Sequence, residues 1–202
     1  MKKYVIFDFD GTLANSKEVA TKVLHQLADD YQFPKIDLEQ IASLQGYAES
    51  VEQFERIAEQ FYKRYKESLH EIHLFDGIKE MLQQLHDSGK LLAVISSNEE
   101  SNIRAYFQKQ EIAFISEVYT SSNLLGKDIM IDRFCEKHQI DKREVIYVGD
   151  ELRDLRACKK SGVDMIWVRW GFGSEAQVQH EGPTYYAETP NDIIDFTKLP
   201  NQ

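Results

Sequence analysis

Apolar residues in this chain fall into short unbroken runs, separated by stretches in which they recur every three or four positions. Tyr4–Phe7 (YVIF), Leu91–Ser96 (LLAVIS), Glu144–Asp150 (EVIYVGD) and Asp164–Trp170 (DMIWVRW) each contain a run of the first kind, and Ile115–Tyr119, broken by Ser116 and Glu117, is a further short strand. Length and β-branched and aromatic content thus give five strands. Between them, Ile78, Met81, Leu82 and Leu85 mark a helix that Gly89 stops, and Ile103, Tyr106 and Phe107 line another. A third helix is expected from about Asp128 to His138, and a fourth, DLRACKKSG, ends at Gly162, where glycine supplies a left-handed cap. Thr189-Pro190 reads as the N-cap and first position of a last short helix. Strands alternating with helices predict an α/β, Rossmann-like parallel sheet covered on both faces.

The segment after the first strand follows a different period. Ser16 can cap a helix bearing Val19, Val23, Leu24 and Leu27. Pro34 interrupts it, Asp37 is expected to cap the short segment DLEQIASL, and Gly46-Tyr47 to make a turn. Val51, Phe54, Ala58, Phe61 and Tyr65 then recur at steps of three and four along a long helix. No strand is evident here. Residues 15–75 therefore read as a small helical domain inserted after the first strand, with Phe54, Phe61 and Tyr65 in its own core, and 1–14 with 76–202 as the Rossmann-like part.

Composition narrows the function. The 202 residues, 42% of them apolar, suffice for one domain with an insert. Lys plus Arg number 24 against 34 acids, a formal charge of −10. That balance disfavours a nucleic-acid partner, while one local pocket can still oppose the global field for a small anion. Cys135 and Cys158 lack a CxxC spacing, so a reduced, cytoplasmic protein is the expectation. Lys2 and Lys3 precede an apolar run too short for a signal core, and no run approaches the roughly 20 residues of a membrane span.

The informative polar residues sit where the strands end. Asp8 and Asp10 straddle Phe9 after the first strand, with Gly11 and Thr12 following; Ser96 ends the second, Asp150 the fourth, and Lys127 lies in the loop after the third. Ligands of open parallel sheets bind at the carboxyl ends of strands. Crowded carboxylates stay ionised only when a cation joins them. Asp8, Asp150 and a carbonyl near Asp10 would suit a hard ion, most simply Mg²⁺. A divalent ion beside a lysine describes a phosphoryl site, and Gly11 would let backbone N–H groups turn toward its oxygens. DFDGT lacks the downstream ligands of an EF-hand, the histidines lack zinc spacing, and the GFG after the fifth strand lacks the dinucleotide fingerprint.

DFDGT with its preceding run, Ser96 after LAVI, Lys127, and VGDELRD together resemble the motifs of the haloacid dehalogenase superfamily. The helical insert and GVDMIWVRWGFGS resemble its phosphoglycolate-phosphatase-like branch, which carries a helical cap. The resemblance implies Asp8 as nucleophile forming an aspartyl-phosphate, and Asp10 as general acid and base. It further implies phosphate binding by Gly11, Thr12, Ser96, Ser97 and Lys127, and Mg²⁺ held by Asp8, Asp10 and Asp150. Asp154 would support the metal or the lysine, or simply cap its helix. Tyr47 is the candidate for reading the leaving group. An acid at Asp10 points to phosphate chemistry, since a departing halide needs no proton. The chain departs from the pattern at Asp128, where proline is usual, and at Glu151, which replaces a small hydroxyl residue and reads as a solvated side chain. Ser97 and Asn98 add donors after Ser96. The expectation is a Mg²⁺-dependent phosphatase for a small phosphorylated metabolite; a phosphomutase and a non-catalytic phosphate-binding module are the alternatives.

Overall fold

The computed structural model describes residues 1–38, 44–48, 50–120 and 126–199. In chain order its strands are β1 (Tyr4–Phe7), β2 (Ala14–Asn15), β3 (His73–Leu74), β4 (Leu91–Ser96), β5 (Ile115–Thr120), β6 (Val145–Gly149), β7 (Asp164–Val168) and β8 (Tyr185–Ala187). The helices are α1 (Lys17–Tyr31), α2 (Leu44–Tyr47), α3 (Val51–Glu67), α4 (Ile78–Asp87), α5 (Glu100–Lys109), α6 (Lys127–His138), α7 (Leu152–Ser161), α8 (Glu175–Gln179) and α9 (Pro190–Lys198). Two compact units result, Met1–Ala14 with Leu74–Gln202, and Asn15–His73. β2 and β3, where the chain passes between units, form a two-stranded sheet.

The larger unit is a six-stranded sheet in the order β5-β4-β1-β6-β7-β8, every pair parallel. Val5, Ile6 and Phe7 of β1 are fully buried because helices cover both faces, which is why the strand reads as an unbroken apolar run. Ile6, Ala93, Ile95 and Tyr147 from three strands join Ile131 and Phe134 of α6 and Leu155 and Cys158 of α7 in one core. At about 2 kcal/mol for each large side chain buried, such a cluster is ample to hold the helices on the sheet. From β1 the chain first builds outward through β4 and β5, then returns to β6 on the other side. That reversal beside β1 opens a crevice at the strands' carboxyl ends.

The expected α/β architecture is the one adopted, but its main sheet has one strand more than the five anticipated, and the short pair β2 and β3 corrects the expectation that the segment after β1 holds no strand. β8 adds to the edge through Ile166↔Tyr185 and Val168↔Ala187. Its three residues include two half-buried tyrosines and form no apolar run, so it left no signal of the kind that marks the others. Gly89 and Gly162 take positive φ (82° and 68°) just past α4 and α7, as the pattern implied. Thr189 and Asp192 close a capping box at α9.

The smaller unit is helical. Val23, Leu24, Leu27 and Ala28 of α1 meet Ile57 of α3, with Phe54 and Phe61 packed against them. Arg64 of α3 pairs with Asp30 of α1 at 2.5 Å. Three sequence expectations are corrected here. Val51 is 67% exposed and stands outside the stripe, because it opens α3 next to the cap Ser50, whose Oγ accepts the Gln53 N–H at 3.1 Å. Ser16 occupies the N-cap of α1, yet its side chain makes no capping bond. Gly46-Tyr47 belongs to the single-turn helix α2 instead of a turn, with Tyr47 45% exposed. The segment expected after Asp37 falls largely on 39–43, outside the described residues. Both cysteines are free and buried. No helix among the described residues is long and apolar enough to cross a membrane.

Candidate active site

Asp8 is placed by the sheet itself. Its N–H donates to the Val148 carbonyl at 2.9 Å, extending the β1–β6 pairing by one residue and fixing the backbone from which the carboxylate projects. Asp8 is 2% exposed. Its Oδ1 accepts the Phe9 N–H at 2.7 Å and its Oδ2 accepts Lys127 Nζ at 2.6 Å. Gly11 follows at φ +78°, a left-handed conformation that turns the chain back so that its N–H reaches the Ala14 carbonyl at 2.9 Å.

Lys127 is the first residue of α6, not a loop residue, and only 1% of its surface is exposed. Its amine bridges Asp8 and Asp154, reaching Asp154 Oδ1 at 2.5 Å. Burial alone would drive this amine toward the neutral form, but Asp154 and Asp8 outweigh it and hold the ammonium above the ordinary lysine value. Asp154 is buried as well; burial raises its carboxyl, Lys127 lowers it, and Asp8 and Glu151 raise it, leaving it at about 6. Asp154 meets the lysine and the helix start at once, since its Oδ2 accepts the Glu151 N–H at 3.1 Å at the start of α7.

Asp150, just past β6, is fully buried. Thr12 Oγ1 donates to its Oδ1 at 2.9 Å and the Phe172 N–H to its Oδ2 at 2.7 Å. Its carbonyl accepts Trp167 Nε1 at 2.6 Å, and Trp170 Nε1 donates to the Thr12 carbonyl at 3.0 Å. A side chain at Gly171 would lie 2.1 Å from Asp150 Cβ, so only glycine lets the loop after β7 close on this acid. Burial, then Glu151, Asp8 and Asp154, push the Asp150 carboxyl well up, the signature of an acid cluster that gains from a cation.

Around the rim, Asn98 Nδ2 donates to Asp10 Oδ2 at 2.9 Å. Ser96 Oγ accepts the Asn98 N–H at 3.2 Å, and Ser97 Oγ accepts Arg153 Nη1 at 2.9 Å. Burial first, and then the charge of Asp10, raise the phenol of Tyr106. The sequence-derived residues Asp8, Lys127 and Asp154 are thus in direct contact, Thr12 and Asp150 likewise, and Ser96, Asn98 and Asp10 form a third connected set.

The carboxylates suit a hard divalent ion. One oxygen each from Asp8, Glu151 and Asp154 lies within 4.8 Å of the others, an all-oxygen donor set without histidine or cysteine. Glu151, read from sequence as solvated, is instead half-buried within this group and pairs with Arg153. The reason is its N-cap position on α7, where it shares a capping box with Asp154. Asp10 and Asp150, expected beside Asp8 at the metal, are not in this group of three; their oxygens meet Asn98, Thr12 and Phe172. Sequence reasoning missed the part played by Arg153, Trp167 and Phe172, and gave Asn98 only as a further donor after Ser96. Of these, only the glycines flanking Phe172 carried a signal, as a place where backbone approaches closely.

Comparison with known proteins gives the family. The family model for haloacid dehalogenase-like hydrolases covers residues 5–168, and the chain belongs to that family. Over 200 residues it is 28% identical to the phosphoglycolate phosphatase of Synechococcus elongatus, across 94% of each chain. It is 27% identical over 200 residues to a 5′-nucleotidase of Pseudomonas aeruginosa, across 90% of this chain and 89% of that one. The crystal structure of a predicted phosphatase from Clostridium acetobutylicum shares the fold, with a TM-score of 0.87 at 23% identity over 98% of this chain and 100% of that one. Within the family, the chain is a phosphoric monoester hydrolase of the phosphoglycolate-phosphatase-like branch.

Proposed function

We propose that this hydrolase is a Mg²⁺-dependent phosphatase that cleaves a small phosphomonoester by way of an aspartyl-phosphate on Asp8. The observation that carries the reading is the buried Lys127 ammonium, 2.6 Å from the Asp8 carboxylate at the end of the central strand. A carboxylate held there by a fixed cation, with a second acid two residues on, is equipped both to attack phosphorus and to manage a proton. Mg²⁺, which the oxygens of Asp8 with Asp150, Glu151, Asp154 and the backbone near Asp10 would hold, would supply positive charge against the phosphoryl oxygens.

In the first half-reaction an Asp8 oxygen bonds to phosphorus. The ester P–O bond breaks, its electron pair stays on the leaving oxygen, and Asp10 delivers a proton there. In the second, a water gives its proton to Asp10 as its oxygen bonds to phosphorus, and the P–O bond to Asp8 breaks to release phosphate. Lys127 offsets charge on the phosphoryl group throughout, and Ser96 and Ser97 are hydroxyl partners for its oxygens; Thr12, whose hydroxyl donates to Asp150, would meet them through its backbone N–H in the turn that Gly11 makes. Tyr47, exposed at the end of α2, is the insert residue put forward for reading the leaving group.

A panel of 2-phosphoglycolate, sugar phosphates and nucleoside 5′-monophosphates, assayed for free phosphate with and without Mg²⁺, tests the assignment. Turnover is expected only with the metal. Asp8→Asn is expected to abolish turnover of the panel and of 4-nitrophenyl phosphate while the fold, monitored by circular dichroism, persists. Undiminished release of phosphate by that variant would remove Asp8 from the mechanism. Isomerised sugar phosphate without free phosphate would make the enzyme a mutase.

A further inference from the structure

Asn98 lies in the turn between β4 and α5, almost fully buried. Its amide is held in one orientation by its neighbours. Oδ1 accepts the Glu99 N–H at 2.8 Å and Asn102 Nδ2 at 3.2 Å, so the NH₂ end faces Asp10 and donates to Oδ2 at 2.9 Å. Turning the amide over would set its NH₂ against two donors and remove the one meeting Asp10, losing three hydrogen bonds at a buried site. The Asn98 backbone N–H is committed to Ser96 Oγ, which ties the same turn to the end of β4.

We infer that Asn98 is a positioning residue for the proton transfers of Asp10: it pins one carboxylate oxygen so that the acid meets the leaving group in a single orientation. The inference rests on the acid–base role proposed for Asp10. A neutral amide suits this task better than a lysine or arginine. Asp10 must carry its proton in one half-reaction and give it up before the other, and a cation beside it would hold it ionised in both. An amide donor restricts its rotation without adding a charge beside it. The sequence also supplies Asn102 one helical turn on, so that both carbonyl contacts and the donor are fixed by the start of α5. Asn98 thus joins two motifs that the sequence keeps 88 residues apart.

Asn98→Asp tests this with little change of shape. The new side chain can still accept from Glu99 and Asn102, but presents an oxygen to Asp10 in place of the N–H. Two esters separate positioning from scaffolding: 4-nitrophenyl phosphate, whose leaving group departs without a proton, and the most rapidly cleaved alkyl phosphate of the panel, whose leaving group requires one. For kcat/KM, which reports transfer to Asp8, the alkyl ester is expected to lose about tenfold or more and the aryl ester a small fraction of that. Asn98→Ser, which retains a hydroxyl donor, should recover part of the alkyl activity.

Asp10→Asn is the reference. If it discriminates between the two esters while Asn98→Asp loses the same factor on both, Asn98 only supports the turn, and the inference is overturned with the proposed function intact. If Asp10→Asn itself shows no discrimination, the acid–base role of Asp10 falls, and the inference with it. A thermal midpoint for each variant, with Asn98→Ser as the milder change, keeps loss of folding from being read as loss of positioning.

Discussion

A lysine with both amine partners buried stands or falls with them. In Lys127→Met the stem is replaced at nearly constant volume, but Asp8 and Asp154 are left as neighbouring buried acids without their shared cation. Removing one member of a buried charge group costs about 3–5 kcal/mol, so the unfolding midpoint of this variant should drop steeply in the absence of metal. Added Mg²⁺ should restore part of the loss, because a divalent ion can meet the same oxygens; thermal denaturation with and without the ion measures it. Turnover should not return, since the metal does not replace an ammonium on the phosphoryl oxygens. Glycine 171 makes the complementary point about space. A methyl group there would meet Asp150 Cβ at 2.1 Å, so Gly171→Ala must displace either the loop or the acid. It is expected to raise the Mg²⁺ concentration needed for half-maximal thermal stabilisation several-fold, a shift readable without any substrate.

Among the elements, β5 and α6 are joined by an acid–base cluster away from the site. Glu117 of β5 accepts Lys137 Nζ and pairs with His138 Nε2, each at 3.0 Å, and bonds the Tyr119 hydroxyl. Burial alone would raise its carboxyl, but Tyr119, Lys137 and His138 prevail and hold it at about 2. A folded value below the unfolded one, about 4.3, means the stabilisation is complete above pH 4.3 and disappears as pH falls through about 2. Glu117→Gln should therefore cost about 2 kcal/mol at neutral pH, with the difference from the unmodified protein closing toward pH 2 in urea titrations. Elements also show why some of the molecule could be read from its sequence. Asp8, Ser96 and Asp150 each follow an apolar run, so position along the chain reports position in the crevice. Lys127 could be placed only roughly, because α6 begins one residue earlier than its apolar period suggests. Asn98 and Arg153 act across motifs through side-chain reach, which no periodicity encodes. β8 is an edge strand whose tyrosines are half exposed, so it lacks the burial that writes the other strands into the sequence.

For the molecule as a whole, the net charge of −10 and the acids gathered at the strand ends act in one direction. Metal binding to the folded form should raise the thermal midpoint of the unmodified protein, and a chelator should return it to the metal-free value. The increase should shrink greatly in a Glu151→Gln, Asp154→Asn double variant if those oxygens hold the ion, and persist unchanged if they do not. The Lys127 ammonium has one more effect at this scale. It already answers two of the clustered acids, so the chain brings its own placeholder for part of the missing positive charge. Unlike a zinc finger, such a protein can finish folding before it meets an ion, and should keep one cooperative unfolding transition in excess chelator. An ion bound at these oxygens would then decide whether the chemistry runs and not whether the chain folds.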